Sequence, residues 1–305
     1  MLTVHVKTAN LIEKLKAYDA RKRDVLARSG EVVYTNSQFR FRGQPIRATG
    51  TAVKQLCLQC GIPVDFWRDK LTSAERALVF NRINRERGDT ERLFRFSRDT
   101  LYGVVSPKYK KLDNIMLAEI VQSAQDSGIG LMPVKSRLNF DHTKIKLVPT
   151  SARVGELAKM VEFTNSENGQ GSMQIHAGVY RWICENGLMV PVGDVIRSRW
   201  LHLGVNDIKL PDIGVVLNHS EEFLGRMERA RTRYLNPGDK SEIITGVAGA
   251  LGHTAANRVV EVANRDYNSG RSLFDVVNAV THAAQSFPPQ KQTDMERYAS
   301  TLLAA

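Results

Sequence analysis

The chain has 305 residues, of which 42% are hydrophobic and 25% are charged, a composition typical of a soluble globular protein. No run approaches the roughly 18 apolar residues that a membrane-spanning helix needs, and the first residues lack the apolar core of a signal peptide. We therefore expect no membrane partner and a cytoplasmic location, which three cysteines without a disulfide framework also fit.

The formal net charge of +11 comes from the first third of the chain. Residues 1–111 hold 23 Lys and Arg against 11 Asp and Glu, whereas residues 112–305 hold 20 against 21. A surface with such an excess attracts polyanions, because each neutralised phosphate releases a condensed counterion. The charge therefore favours nucleic acid as the partner.

Helical and strand patterns alternate in this basic third. Apolar spacing predicts an amphipathic helix over 8–28, and helices over 51–60 and 73–88. Two stretches alternate with period two, at 31–50 and 93–106, and predict strands. In each, phenylalanines fall on one face and arginines on the other. The phenylalanines are Phe39, Phe41, Phe94 and Phe96, and the arginines opposite them are Arg40, Arg42 and Arg95.

The remaining chain changes from strands to helices. Segments 131–140, 143–151 and 159–167 are β-rich, and four helices are predicted at 220–233, 241–264, 272–285 and 293–304. The order predicts an α+β fold, with a twisted, mainly antiparallel sheet and packed helices, followed by an all-helical C-terminal part. We predict three regions: a basic helix and strand region at 1–90, a β-rich domain at 91–219 and a helical region at 220–305.

Basic residues near these strands are the candidate binding site. Guanidinium groups on an open sheet face can fork to phosphate oxygens, although a solvated strand face would carry the same residues. The segment at 108–111 places a tyrosine among lysines, which suits a base stacked on the aromatic ring. The predicted nucleic-acid-binding residues are Arg40, Arg42, Arg47, Arg95, Arg98, Lys108, Tyr109, Lys110 and Lys111.

Catalytic and cofactor motifs are absent from the sequence. Cys57 and Cys60 form a single CxxC at a helix end, without the second pair or the spaced histidines of a zinc site, and are predicted to be buried thiols. We expect no cofactor and no catalytic residue. One alternative is a metal-dependent nuclease using Asp141, Glu162 or Glu167. Another alternative is a protein-interaction factor that inhibits a host or rival protein.

Several stretches together resemble one uncharacterised prokaryotic family of phage/plasmid-like proteins. They are QLCLQCGIPVDFWR from residue 55, LYGVVSPKYKKLDNIMLAEIV from 101, VEFTNSENGQGSMQIHAGVYRWICENGLMV from 161 and SLFDVVNAVTHAA from 272. The resemblance covers roughly 45–300, and its sharpest block runs from Arg181 through Ile183 and Cys184 to Leu188. It implies a phage or plasmid protein acting in a bacterial cytoplasm, with no established catalytic residues.

These observations together predict a sequence-independent nucleic-acid-binding protein, with single-stranded DNA favoured. The order of strands and helices is similar in architecture to phage single-strand annealing proteins, which assemble into rings or filaments. We therefore expect an annealing role in DNA recombination and a homo-oligomer as further hypotheses. Fold analogy alone does not assign either of them.

Overall fold

A computed structural model describes residues 2–87, 89–150, 153–154, 157–181, 186–189, 197–202 and 212–303. It confirms the predicted α+β class, because two β-sheets with packed helices precede an all-helical C-terminal part. None of the helices within these ranges is long and apolar enough to cross a membrane. Ile183 and Cys184 of the sharpest sequence block lie outside the described residues.

The first sheet contains six strands from the basic third of the chain. They are β1 (Lys22–Arg28), β2 (Val32–Thr35), β3 (Gln38–Phe41), β4 (Gln44–Ala48), β5 (Glu91–Ser97) and β6 (Thr100–Val105). Their order across the sheet is β1-β5-β6-β4-β3-β2, and only the β4–β6 pair is parallel. This sheet includes strands on both sides of residue 90, and the predicted division into three regions stays a prediction.

Three helices cover one face of the first sheet: α2 (Gly50–Gln59), α3 (Val64–Asp69) and α4 (Ser73–Glu86). Thr49 and Thr72 cap α2 and α4, since each hydroxyl accepts a hydrogen bond from a backbone N–H of the first turn. The prediction that the four phenylalanines share a face is confirmed. Phe41 lies 5.1 Å from Phe94 and 5.2 Å from Phe96 between ring centroids, in one core with Phe39.

The predicted helix over 8–28 is wrong in its second half. Helix α1 (Leu2–Asp19) ends before the basic run, and Lys22–Arg28 forms β1 instead. All seven residues of β1 pair with β5. This long-range ladder overrides the local helical spacing, which the sequence window cannot reveal.

The second sheet follows helix α5 (Met116–Asp126). Its main strands are β7 (Leu131–Arg137), β8 (Thr143–Pro149), β10 (Leu157–Asn165), β11 (Met173–Arg181) and β12 (Asn186–Met189), which confirms the three predicted β-rich segments. Short strands β9 (Arg153–Val154) and β13 (Arg197–Trp200) add to β10 and β11. One face packs against α1 and α5 through a shared apolar core.

The C-terminal part contains helices α6 (Ile213–Thr232), α7 (Pro237–Leu251), α8 (His253–Asp266), α9 (Leu273–Ala284) and α10 (Pro289–Leu302). The single helix predicted over 241–264 is two helices, α7 and α8. Gly252 separates them with a φ of +86°, which a side chain would disfavour. Helix α6 also lies against β10 and β11 and so connects the helical part to the second sheet.

Candidate nucleic-acid interface

Four exposed arginines lie at one end of the first sheet, which we call the arginine end. The start of β1, the β5–β6 turn and the last residues of β4 meet there. The backbone N–H of Arg98 donates to the carbonyl of Arg21 over 2.9 Å, and that of Arg47 donates to the carbonyl of Asp99 over 3.1 Å. The arginine end therefore consists of Arg21, Arg23, Arg47 and Arg98.

The guanidinium groups of the arginine end have few competing partners. Arg47 faces Asp99 at 3.6 Å, but both side chains are well exposed, at 81% and 61%, so the pair is weak. The other three arginines form no ion pair with a carboxylate of the described residues. The guanidinium carbon of Arg23 lies 5.1 Å from the ring centroid of Phe96. Three strand spacings separate β1 from β4, so the four arginines span roughly 15 Å.

The predicted set of nine residues does not form one surface. Arg47 and Arg98 belong to the arginine end, whereas Arg42 lies in the β3–β4 turn at the other end of β4. The Arg42 side chain pairs with Glu31, which lowers the pKa of that carboxyl. Arg40 is half-buried, and its Nη1 donates to the carbonyl of Gly43 over 2.9 Å.

Lys108, Lys110 and Lys111 follow the end of β6 that is opposite the arginine end. Lys108 is exposed, and Lys111 is about half-exposed at 52% and forms an ion pair with Asp24 at 3.0 Å. The backbone N–H of Lys110 donates to the carbonyl of His202 over 2.7 Å. These lysines stay candidate contacts outside the arginine end.

Arg95 is not exposed, and the prediction that it faces solvent is wrong. Its side chain has no accessible surface. Its Nε donates to Asp24 at 3.0 Å, its Nη2 to Asp113 at 2.8 Å and its Nη1 to the carbonyl of Glu167 at 2.5 Å. Burial would lower the pKa of Arg95, but Asp113 and Asp24 raise it and keep the guanidinium charged. A polyanion cannot reach this group in the folded chain.

Tyr109 is also buried, so the predicted stacking of a base on it is wrong. The ring lies parallel to that of His202, with centroids 4.6 Å apart and planes at 8°, and the hydroxyl donates to the carbonyl of Ser166. Burial raises the pKa of Tyr109. The aromatic ring therefore closes a core contact, and it offers no platform to a ligand.

The turn between β10 and β11 explains why both residues are covered. Residues 166–172 pack on the open face of the first sheet, where Asn168 Nδ2 donates to the carbonyl of Tyr102 at 3.3 Å. Gly103 permits this approach, since an added Cβ would lie only 3.0 Å from the Cβ of Asn168. Period-two alternation correctly separates the faces of β5, but it carries no information about which later segment covers a face.

The three carboxylates of the nuclease alternative do not meet. Glu162 faces Lys144 and Lys146 at 3.2 and 3.5 Å, Glu167 binds Lys22 at 2.5 Å, and Asp141 accepts from Asn168. Within the part of the chain that the structure describes, no group of three or more His, Cys, Asp or Glu could hold a metal ion. These carboxylates serve internal ion pairs and hydrogen bonds.

Sequence reasoning missed Arg21 and Arg23. Both occur in the run Arg21-Lys22-Arg23, which the helical spacing assigns to a helix end rather than to the start of a strand. A signal was present: Asp24 ends the basic run, and a strand places Lys22 and Asp24 on one face and Arg23 on the other, as in β1, where Lys22 and Asp24 face the buried cluster and Arg23 is exposed.

The comparisons with known proteins concern the later part of the chain. Residues 101–303 match the model of a family described as a domain of unknown function, DUF932. The chain belongs to this family. The match begins at the first residues of β6, so QLCLQCGIPVDFWR and most of the first sheet lie before it. No curated protein and no solved structure matches the chain in these comparisons.

Proposed function

We propose that the protein binds nucleic acid, with single-stranded DNA favoured, without reading its sequence. The observation that carries this proposal is the arginine end, where four exposed arginines lie at the same end of one sheet, in strands β1 and β4 or directly beside strand ends. A guanidinium group donates two parallel hydrogen bonds to a phosphate, and these contacts are the same for every base sequence. The buried phenylalanine core of the first sheet holds its strands in place, so the backbone positions of the four arginines keep a fixed spacing.

The biological setting is part of the same proposal. The resemblance to phage/plasmid-like proteins supports a role for mobile-element DNA in a bacterial cytoplasm, including the annealing of complementary single strands in recombination. Annealing requires base edges that stay available for pairing, and contacts confined to phosphates leave them so. A homo-oligomer would repeat the arginine end along a strand and add its contacts.

The experiment is a salt titration of binding to a mixed-sequence single-stranded DNA. Four phosphate contacts predict a slope of about −3 for the logarithm of affinity against the logarithm of salt concentration. The variant R47Q/R98Q removes two contacts, so its slope should be about −1.4. The matched control is R82Q/R265Q, which removes two exposed arginines outside the arginine end. It should keep the wild-type slope.

An equal loss of slope in both double variants would show that overall charge, and not the arginine end, causes binding. The same measurements on duplex DNA and on RNA of the same length show which of the three nucleic acids the protein binds most tightly. Far-UV circular dichroism checks that each variant is folded. A wild-type protein without affinity for any nucleic acid would overturn the proposal and favour a protein-interaction factor instead.

A further inference from the structure

An exposed tyrosine lies on the helical C-terminal part, in the segment between α6 and α7. Tyr234 is 66% exposed, which makes it the most exposed aromatic side chain among the residues that the structure describes. Aromatic rings contribute strongly to binding when a partner covers them. The arginine end does not include Tyr234, because the arginine end belongs to the first sheet. The ring is therefore a candidate for a separate contact.

The backbone around Tyr234 is held in place, although its side chain is exposed. Tyr234 forms an isolated antiparallel β-bridge with the residue that precedes α9. The backbone N–H of Leu235 donates to the carbonyl of Arg271 over 3.0 Å, and that of Leu273 donates to the carbonyl of Arg233 over 2.9 Å. Leu235 also packs against the apolar core of the helical part. Because the backbone position is fixed, less conformational entropy is lost when a partner covers the ring.

Two exposed arginines accompany the ring. The guanidinium carbon of Arg271 lies 5.2 Å from the centroid of the Tyr234 ring, so this side chain covers one face of the ring and leaves the opposite face open. Neither Arg233 nor Arg271 forms an ion pair with a carboxylate of the described residues. Two carboxylates of the same segments, Asp239 and Asp275, accept hydrogen bonds within helix capping boxes. They offset the arginine charges in part, so the open ring is the main feature of this surface.

The other exposed aromatic side chain in the described ranges has a different setting. Phe66 of α3 is 50% exposed. Arg68, the arginine near it in the same helix, forms ion pairs with Asp65 at 2.9 Å and with Asp69 at 2.8 Å. Phe66 therefore combines a comparable exposed ring with an arginine that is already paired, and it is the matched control for Tyr234.

We infer that Tyr234 is a stacking platform for an unpaired base of single-stranded DNA. The base would lie on the open face of the ring, opposite Arg271. Every base has a π-face, so such a stack does not depend on sequence. The charge of Arg233 beside the ring favours a polyanion over a neutral aromatic ligand. The inference rests on the proposed function for the kind of partner, and it adds a stacking contact within the range that matches the family.

Binding of a mixed-sequence single-stranded DNA by Y234A, Y234F and F66A at several salt concentrations tests the platform. Y234A should weaken binding by between about fivefold and about 100-fold, as loss of one stacked base does. Its salt slope should equal that of the wild type, because an uncharged ring releases no counterion. Y234F keeps the ring and should bind within about twofold of the wild type, and F66A should bind as the wild type does. Duplex DNA, whose bases already stack on each other, should bind Y234A and the wild type equally.

A fluorine-19 NMR spectrum of the protein containing 3-fluorotyrosine reports on the ring directly. The chain has eight tyrosines, and the resonance that is missing from Y234F is that of Tyr234. This resonance should shift when the single-stranded DNA is added, because a stacked base changes the magnetic environment of the ring. Far-UV circular dichroism checks that each variant is folded.

Wild-type affinity in Y234A, or an equal loss of affinity in F66A, would overturn the platform. A Tyr234 resonance that does not shift at saturating DNA would overturn it too and favour a protein contact for the ring. A changed salt slope in R47Q/R98Q together with wild-type affinity in Y234A would support the arginine end and reject the platform. Weakened binding in Y234A together with a wild-type slope in R47Q/R98Q would support the platform and reject the arginine end.

Discussion

Arg95 can be buried because its acceptors come from three separate parts of the chain. Asp24 lies on β1, Asp113 precedes α5, and the carbonyl of Glu167 belongs to the β10–β11 turn. An unpaired guanidinium at this position would cost several kcal/mol of desolvation. The same face of the sheet carries Lys22, which binds Glu167 at 2.5 Å. The first sheet and the turn are therefore joined by a buried ionic cluster of Lys22, Asp24, Arg95, Asp113 and Glu167.

The pH dependence of stability should reveal Glu167 within this cluster. Burial raises the pKa of Glu167, with a contribution from Asp113, although Lys22 opposes the shift. Between the carboxyl pKa of the unfolded chain, about 4.3, and the raised value, the folded protein holds a proton that the unfolded chain has released. The free energy of unfolding therefore falls as pH rises through this interval. In urea unfolding, the wild-type free energy of unfolding minus that of E167Q should be largest near pH 4.5 and should decrease toward neutral pH.

E31Q is the control for this measurement. The pKa of Glu31 is lowered, chiefly by its hydrogen bond to Arg42, so the carboxyl is ionised in both the folded and the unfolded chain above about pH 5.5. The difference between wild type and E31Q should then be constant from about pH 5.5 to 8. If E167Q gave an equally flat difference, Glu167 would be ionised throughout, contrary to the expected shift.

The sequence predicts residue properties well where they depend on neighbours along the chain. The alternation of Phe94, Arg95 and Phe96 correctly separates two faces of β5, because strand geometry fixes it locally. The exposure of Arg95 and Tyr109 depends on Ser166–Asn168, more than 50 residues away, and no local pattern encodes that contact. The arginine end was only half predicted, through Arg47 and Arg98, because the strand character of β1 arises from its pairing with β5.

At the scale of elements, helix α10 is attached to the second sheet through one carboxylate. Glu296 is buried and accepts from Lys144 at 2.6 Å and from Lys146 at 2.9 Å, while Glu162 faces the same two lysines from β10. Burial alone would raise the pKa of Glu162, but Lys144 and Lys146 together hold it below its usual range. The four charges are balanced only when α10 lies against the sheet.

Removing this carboxylate should weaken the whole fold. E296Q leaves two buried lysines with one negative partner, so the free energy of unfolding should fall by about 3 kcal/mol, as for other broken buried pairs. Urea unfolding measures the change. E221Q is the control, because Glu221 pairs with Lys159 at the surface and is 70% exposed, and it should cost less than about 1 kcal/mol.

The double variant E296Q/K146M tests whether charge balance causes the effect. It leaves Lys144 with Glu162 and removes the second lysine, so part of the lost stability should return. If the double variant were less stable than E296Q by the full cost of another broken contact, the four groups would act independently, and the balance would have no role.

At the scale of the whole molecule, the part of the chain that matches the family begins within the basic first sheet. The match to the family starts at residue 101, in β6, yet β6 pairs with β5 and β4 from before the match. The buried cluster also joins Arg95, outside the matched range, to Asp113 and Glu167 within it. The first sheet should therefore unfold together with the rest of the chain, although the excess positive charge and the proposed binding surface lie on the first sheet.

Two probes of unfolding test this coupling. Trp67 is buried in the core of the first sheet, and its fluorescence becomes specific for that sheet in a W182F/W200F background, since the chain has three tryptophans. Far-UV circular dichroism at 222 nm reports mainly on the helices. In the otherwise wild-type chain, the two urea transitions should coincide.

Arg95→Met should separate the two transitions, because Asp24 and Asp113 lose the cation between them, and the first sheet loses one of its buried contacts with the β10–β11 turn. A buried pair broken in this way costs about 3–5 kcal/mol, so the Trp67 midpoint should move to lower urea by more than the circular dichroism midpoint. Arg28→Met, on the same sheet but 67% exposed, should leave the two midpoints together. Two transitions in the parent protein, or coincident ones in the Arg95 variant, would show that the cluster does not couple the sheets. In the expected case, the ionic cluster makes the arginine end part of one cooperative structure, so that its four guanidinium groups keep their spacing for as long as the family domain is folded.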